Sequence, residues 1–418
     1  MGLKQKINRV RKSKDGKVLV ENFAYLSLLQ VAGYIFPLLT LPYLARVIGV
    51  DSFGKIAFAA AIIGWFNTVA DWGFNYTATR DVAKNRDDKE KISQIFSNVL
   101  WARCFLTLCS FILLILLIII VPKFREISLL LIITFLMIPG RILFPDWFFQ
   151  AIERMKYVTI LNLISKFLFT IAVFVFIKGK SDFILQPLFV SVGFVVSGII
   201  AMYYIVVRWK IKLQTPCFKE IKQTIKSSTD VFINNLMPNL YNSFSMLLLG
   251  FFGGVVSNGI LDAGKKFVNI SDNFMTILYR TFFPFLSRKS EKHSFFSHIA
   301  LGIAFFISVS LFFLAPIIIK IFFTQEFLNS IIVLRIYSIS IIFTAMYYIY
   351  GFNYLVVIGK EKLMRNINIK VSIFGFIISF PLIYYFDYIG AALVYLITTC
   401  IMGSLFMFYT LKIKKQLS

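Results

Sequence analysis

About a dozen uninterrupted apolar runs, each roughly 20 to 28 residues long, leave this chain few ways to fold. A bilayer core holds no water, so every backbone N–H and C=O there must be satisfied internally, and runs of this kind form spanning helices. An outer-membrane barrel would instead alternate apolar and polar residues in segments of about 10. The runs predict an all-α polytopic membrane protein. Spans are expected near 23–49, 54–80, 95–121, 128–150, 158–177, 185–207, 229–252, 259–284, 297–323, 331–358, 367–386 and 389–411. No small-residue cleavage pattern follows the basic start MGLKQKINRVRKSKDGKVLVEN, so the first run reads as a retained span and 1–22 as a basic cytoplasmic tail.

The formal charge of +24 is unevenly spread. With the N-terminus inside, the inner segments hold 29 Lys plus Arg and 10 acids, against 15 and 10 in the outer loops and spans together. That is the positive-inside bias, and it predicts both termini in the cytoplasm. No separate basic domain remains to bind nucleic acid. The four cysteines have no metal or redox spacing and are expected to be inert core or loop residues. His293 and His298, at i, i+5 in a short cytoplasmic loop, suit one metal poorly and are expected to be solvated.

The sequence also repeats. GVDSFG (Gly49–Gly54) recurs as GVVSNG (Gly254–Gly259), agreeing at four of six positions at an offset of 205. The same offset carries spans 3–6 onto spans 9–12 and sets Gln30 on Asn235, Tyr34 on Asn239 and Thr40 on Ser245. An even number of spans per repeat preserves orientation. The expected architecture is therefore 12 transmembrane helices in two six-helix lobes related by a pseudo-two-fold along the membrane normal. The lobes would be 23–207 and 229–411, with a cytoplasmic linker at 208–228 and a tail at 412–418.

Polar residues pick out the first hairpin of each half. In span 8, Asp262, Lys266, Asn269, Asn273, Thr276 and Arg280 are spaced 4, 3, 4, 3 and 4, which puts all six on one helical face. Asn234, Pro238, Tyr241 and Ser245 do the same in span 7, and Asn67, Asp71 and Asn75 in span 2. Asp71 lies nine residues before Arg80, about 13 Å along a helix and so near the middle of the bilayer core. Among span residues cations, Lys166 among them, outnumber acids, a surplus that suggests an anionic guest. Arg46, Arg280, Arg335 and Lys370 sit near span ends where they can snorkel, and Asp262 with Lys266 can form a structural i, i+4 pair. Lys265, Arg103, Arg141 and Asp71 are deeper, show no local partner in the sequence, and are read as pathway residues. Trp65, Trp72, Tyr76 and Tyr241 could stack on sugar rings, although 72 aromatics make packing the commoner role.

PLLTLPYLARVIGVDSFGKIAFA and ADWGFNYTATRDVAKNR resemble the first two spans of the O-antigen and polysaccharide flippases, in the multidrug/oligosaccharidyl-lipid/polysaccharide (MOP) superfamily. PDWFFQAIERMKYVTILN (Pro145–Asn162) is a second such stretch, with Ala151 where that family commonly has Gly. The resemblance implies alternating access between the lobes. Its cargo would be an undecaprenyl-pyrophosphate-linked oligosaccharide, moved from the inner to the outer leaflet of the bacterial cytoplasmic membrane. It implies no cofactor, leaves proton or cation coupling open, and names membrane lipids and polysaccharide polymerase machinery as partners. It carries ligand-binding roles onto Arg46, Asp71 and Arg80. The full set of expected pathway residues is Arg46, Asp71, Arg80, Arg103, Arg141, Asn235, Lys265, Lys266, Asn269 and Asp272.

An enzyme is disfavoured. Outer loops are short, and no DxD motif, Walker A loop or metal cluster is present. A small-molecule or drug antiporter of the same superfamily is the alternative. A cation antiporter should show an acid-rich cavity, whereas these spans lean basic. A major-facilitator sugar transporter would also give six plus six spans, but RDVAKNRDDKEK lacks that family's Gly- and Arg-rich loop pattern.

Overall fold

The computed structural model describes residues 14–288 and 292–417, so most of the expected basic tail falls outside it. Among the described residues all regular structure is helical. The helices used below are α1 (Lys14–Asp71), α2 (Phe74–Lys84), α3 (Lys89–Ile120), α4 (Ser128–Phe135), α5 (Met137–Leu143), α6 (Asp146–Ala151) and α7 (Met155–Phe176). They continue as α8 (Leu185–Met202), α9 (Phe218–Leu236), α10 (Ser243–Phe252), α11 (Gly254–Arg288), α12 (His293–Phe322), α13 (Ser330–Met346) and α14 (Glu361–Leu417).

Among the described residues, eight helical segments are long and apolar enough to cross a membrane. Two are far longer than one crossing needs. α1 has 58 residues, about 87 Å of helix against a core of about 30 Å, and it breaks at Gly49 (φ 70°, ψ 175°). α14 breaks likewise at Asp387 (φ 52°, ψ −131°). α11 is not among the eight because Asp262, Lys265, Lys266 and Asp272 interrupt its apolar character.

Several expected spans are not continuous helices. The one placed at 54–80 ends α1 at Asp71 and restarts as α2 after Trp72 and Gly73, both at positive φ. Glycine takes that conformation freely, while Trp72 at φ 42° must be held by its surroundings. Its ring stacks on Phe232 of α9 at 3.8 Å, and its indole N–H donates to the Ile225 carbonyl at 3.2 Å. The span at 128–150 is divided into α4, α5 and α6, and that at 229–252 has a 3₁₀ turn, Met237–Leu240, between α9 and α10. The stretch 208–228 is helical from Phe218 onward.

By contacts the chain forms two compact units. The first comprises residues 1–47 and 63–235, and the second 48–62 and 236–418. The first unit's core gathers Phe74, Phe96, Trp147, Phe148 and Phe149, bringing α2, α3 and α6 together. In the second unit the two copies of the repeated hexapeptide meet. Gly49 and Gly254 both take positive φ, 70° and 84°. A Cβ on Gly54 would lie 1.7 Å from the Val255 carbonyl oxygen, and one on Gly259 would lie 2.5 Å from the Val50 carbonyl oxygen. Only glycine at both positions permits that approach, and the paired residues are related by the sequence offset of 205.

Two side-chain expectations are overturned. His293 is fully buried, its Nε2 3.0 Å from the Ile349 carbonyl and its Nδ1 3.1 Å from Lys414 Nζ. The partners are contributed by the ends of distant elements, which the loop assignment could not reveal; His298 is exposed as expected. Cys104 and Cys109 face outward from α3 rather than into the core.

Candidate functional site

The break after Asp71 decides the chemistry of the first unit. A carboxylate on the last residue of a helix faces its negative dipole end and needs compensation. Asp71 Oδ1 accepts from Arg103 Nη2 at 3.1 Å, and Oδ2 accepts from the Asn75 carboxamide at 3.0 Å. Asp71 and Arg103 are therefore each other's partner, a pairing beyond the local neighbours that the sequence shows. The sequence hid the pair because 32 residues separate it. Arg141, whose guanidinium lies over the Phe194 ring at 4.9 Å, and Asp146 are close enough for their charges to act on Asp71. Two cations thus balance two acids in this cluster.

The cluster is not saturated. Arg103 is 6% exposed, and its Nε and Nη1 are buried with no hydrogen-bond partner among the described residues. The Asn75 Oδ1 and the Thr107 hydroxyl, one turn beyond Arg103, are in the same condition. An unpaired buried donor costs about 1–3 kcal/mol, more when charged, so this centre is polar beyond what its own groups satisfy.

The second unit builds a different centre around Lys265 of α11. Its ammonium hydrogen-bonds the Asn242 side-chain oxygen and lies 5.6 Å from the Tyr395 ring and 5.9 Å from the Tyr337 ring. Those rings pack 4.9 Å apart, and Tyr241 lies 6.2 Å from Tyr395. This is an aromatic cage for a cation, already filled by the lysine. Asp272, two turns along α11, accepts from Tyr395 and keeps one carboxyl oxygen, Oδ1, buried without a partner among the described residues. Neither cage tyrosine 337 nor 395 was singled out in the sequence, because they come from α13 and α14 and nothing local marks them.

The other expected residues lie elsewhere. Lys266 pairs with Asp262 at 2.8 Å, as the i, i+4 spacing predicts, and lies 5.9 Å from the Phe53 ring. Arg80 is exposed and bridges its neighbour Asp81 at 2.8 Å. Arg46 is exposed on α1, Asn269 on α11, and Asn235 is half-buried near the end of α9. Asn269 and Asn273 are exposed and Asp272 and Thr276 half-exposed, so the polar stripe of α11 is not packed away. The side chain of Arg280 lies outside the described residues. Trp72 is committed to Phe232 and Tyr241 is buried, which removes two of the four proposed sugar-stacking rings. No group of three metal-ligating side chains occurs among the described residues.

Comparison with known proteins agrees with this architecture. The fold is similar to a solved structure of the lipid II flippase MurJ in an inward closed conformation, with TM-score 0.73 and 18% identity over 94% of this chain and 87% of that one. It is also similar to an inward-facing multidrug resistance MATE family transporter of the MOP superfamily, with TM-score 0.63 and 14% identity over 95% and 100%. In sequence, the chain is 28% identical over 401 residues to a protein of Escherichia coli (strain K12) named "Putative O-antigen transporter", covering 94% of this chain and 96% of the relative. Residues 19–290 match the family model described as polysaccharide biosynthesis protein. The chain belongs to the polysaccharide biosynthesis protein family, and it is a multi-pass helical membrane protein.

Proposed function

We propose that the chain is a flippase that carries a lipid-linked oligosaccharide, such as an O-antigen repeat unit on undecaprenyl pyrophosphate, from the inner to the outer leaflet of the bacterial cytoplasmic membrane. The observation that carries this reading is the unpacked polar face of α11 within a chain of the polysaccharide biosynthesis family. Lipid does not tolerate such a face, so it lines a wet path. Sugars need that path, while the polyprenyl tail stays in the bilayer. The relatives named as an O-antigen transporter and a lipid II flippase support a cargo of this class.

The proposed architecture has twelve spans in two six-helix lobes, 23–207 and 229–411, with both termini cytoplasmic. Eight apolar segments, two of them double, together with the α9–α10 pair and α11, support that number. The lysine and arginine distribution supports the orientation. Arg103, Arg141 and Lys265 are proposed to contribute the positive potential that a pyrophosphate meets. Asp71 is the proposed carboxylate for proton coupling. Polymerase machinery on the outer face is the proposed recipient of the cargo.

Purified protein in liposomes containing an undecaprenyl-pyrophosphate oligosaccharide tests the reading, with transbilayer movement scored by an impermeant sugar-modifying enzyme. Movement above that of protein-free vesicles is expected, and an imposed pH gradient should change its rate. A small-molecule antiporter is the competing reading, favoured by the MATE likeness in fold. Drug-driven proton flux without cargo movement would establish it instead.

A further inference from the structure

Lys166 lies in the middle of α7, eleven residues from Met155 and ten from Phe176, hence about 15 Å from either end. That is the depth of the bilayer midplane. The outward surface of α7 is apolar, formed by Ile160, Ile164, Phe167, Leu168, Ile171 and Val175. Lys166 is on the opposite side, in register with buried Thr159, Thr170 and Val173 at −7, +4 and +7. That side follows α1: Met155 N–H donates to Asn22 at 3.1 Å, Thr159 donates to the Tyr25 carbonyl at 3.0 Å, and Tyr43 donates to the Ile177 carbonyl at 2.7 Å. Midway between these ties the ammonium rests over Gly33, 3.3 Å from where a Cβ would be.

Among the described residues nothing neutralises it. Among the described residues no carboxylate is within ion-pair distance of Lys166, and its ammonium makes no hydrogen bond. The other deep cations are engaged: Arg103 by Asp71, Lys265 by Asn242 and two tyrosines, Arg141 by Phe194. The side chain is half-buried, so a ligand can still reach it. A lone ammonium at this depth is expensive to retain, and the missing partner is an anion.

We propose that Lys166, seated on Gly33, binds a phosphate oxygen of the diphosphate that links the cargo to its lipid, and so selects a phosphate-bearing carrier at mid-membrane. This rests on the flippase reading and adds the residue that recognises the carrier's charge. Gly33 is the positioning residue, because a larger side chain there would push the ammonium off its seat.

Binding of farnesyl diphosphate to the detergent-purified full chain tests the proposal, with phosphatidylglycerol as the second probe. Lys166→Ala should weaken farnesyl diphosphate binding about tenfold or more, the loss expected for one charge-assisted contact. Lys166→Arg should recover most of it, Gly33→Leu should weaken it, and the thermal midpoint should hold in the lysine variants. Equal binding by wild type and Lys166→Ala overturns the proposal. A selective loss of phosphatidylglycerol binding also overturns it, assigning the lysine to a membrane headgroup. Failure of the wild type to bind farnesyl diphosphate at all would count against a diphosphate cargo, and the proposal would fall with that reading.

Discussion

The Asp71–Arg103 pair allows a quantitative prediction. Arg103's side chain is 7% exposed and Asp71's 20%, so the two are unequally shielded. Asp71→Asn keeps the shape but leaves a buried guanidinium, already lacking partners at Nε and Nη1, without its counter-charge. Breaking a buried pair this way costs about 3–5 kcal/mol. Arg103→Gln strands the better-solvated carboxylate, which keeps Asn75, and should cost less, about 1–3 kcal/mol. The double variant removes both charges, so its loss should fall short of the sum by about 1–3 kcal/mol. Titration with a denaturing detergent, followed by tryptophan fluorescence, measures all four proteins. Strict additivity, or Arg103→Gln proving the more damaging single change, would refute the pairing argument. If the cluster also serves transport, the double variant should flip slowly even at a temperature where it remains folded.

Further outcomes are expected elsewhere. Gly54→Ala forces a methyl to 1.7 Å from the Val255 carbonyl and should destabilise by about 1–3 kcal/mol or more, whereas Gly64→Ala, with nothing within 4 Å, should be neutral or stabilising; thermal unfolding compares them. Lys265→Ala should slow flipping severalfold at equal expression, and an unchanged rate would remove the lysine from the pathway. Trp72→Ala removes the stack on Phe232 and the indole hydrogen bond that hold a left-handed residue, so it should destabilise by about 1–3 kcal/mol in thermal unfolding. Hydrogen bonding from Arg86 at 2.5 Å holds the Glu153 carboxyl below the ordinary carboxylate range. Its contribution is full above the unfolded value of about 4.3 and is lost as pH falls through the depressed native value. Both side chains are well exposed, so Glu153→Gln should lower the thermal midpoint by no more than about 2 °C at pH 7, and the two proteins should converge at strongly acidic pH.

What could be read from sequence was whatever depends on one helix at a time. The polar stripe of α11 and the Asp262–Lys266 pair follow from a period of 3.6, and both appear as the spacing requires. The hexapeptide repeat is plain in the sequence, whereas the close approach of Gly54 and Gly259 to each other's copy is not. What escaped were pairings between distant segments: Asp71 with Arg103, Lys265 with Tyr337 and Tyr395, His293 with Ile349 and Lys414. The left-handed turn at Trp72 escaped for a related reason, since its stabilisation comes from α9 and not from its own neighbours. Lys166 is a charge in an apolar run of the sequence, but what gives it meaning is that among the described residues no acid pairs with it.

The glycine crossing ties the two copies of the hexapeptide to one another. Gly54 meets the carbonyl of Val255, and Gly259 meets that of Val50, so each half presents to the other the same surface it receives. A contact of this form is isologous, the kind two identical subunits make across a dyad. A bulkier residue at either glycine is therefore felt by both copies of the hexapeptide. One unit carries a carboxylate–guanidinium pair and the other a caged lysine, while both copies of the hexapeptide hold glycine where they touch.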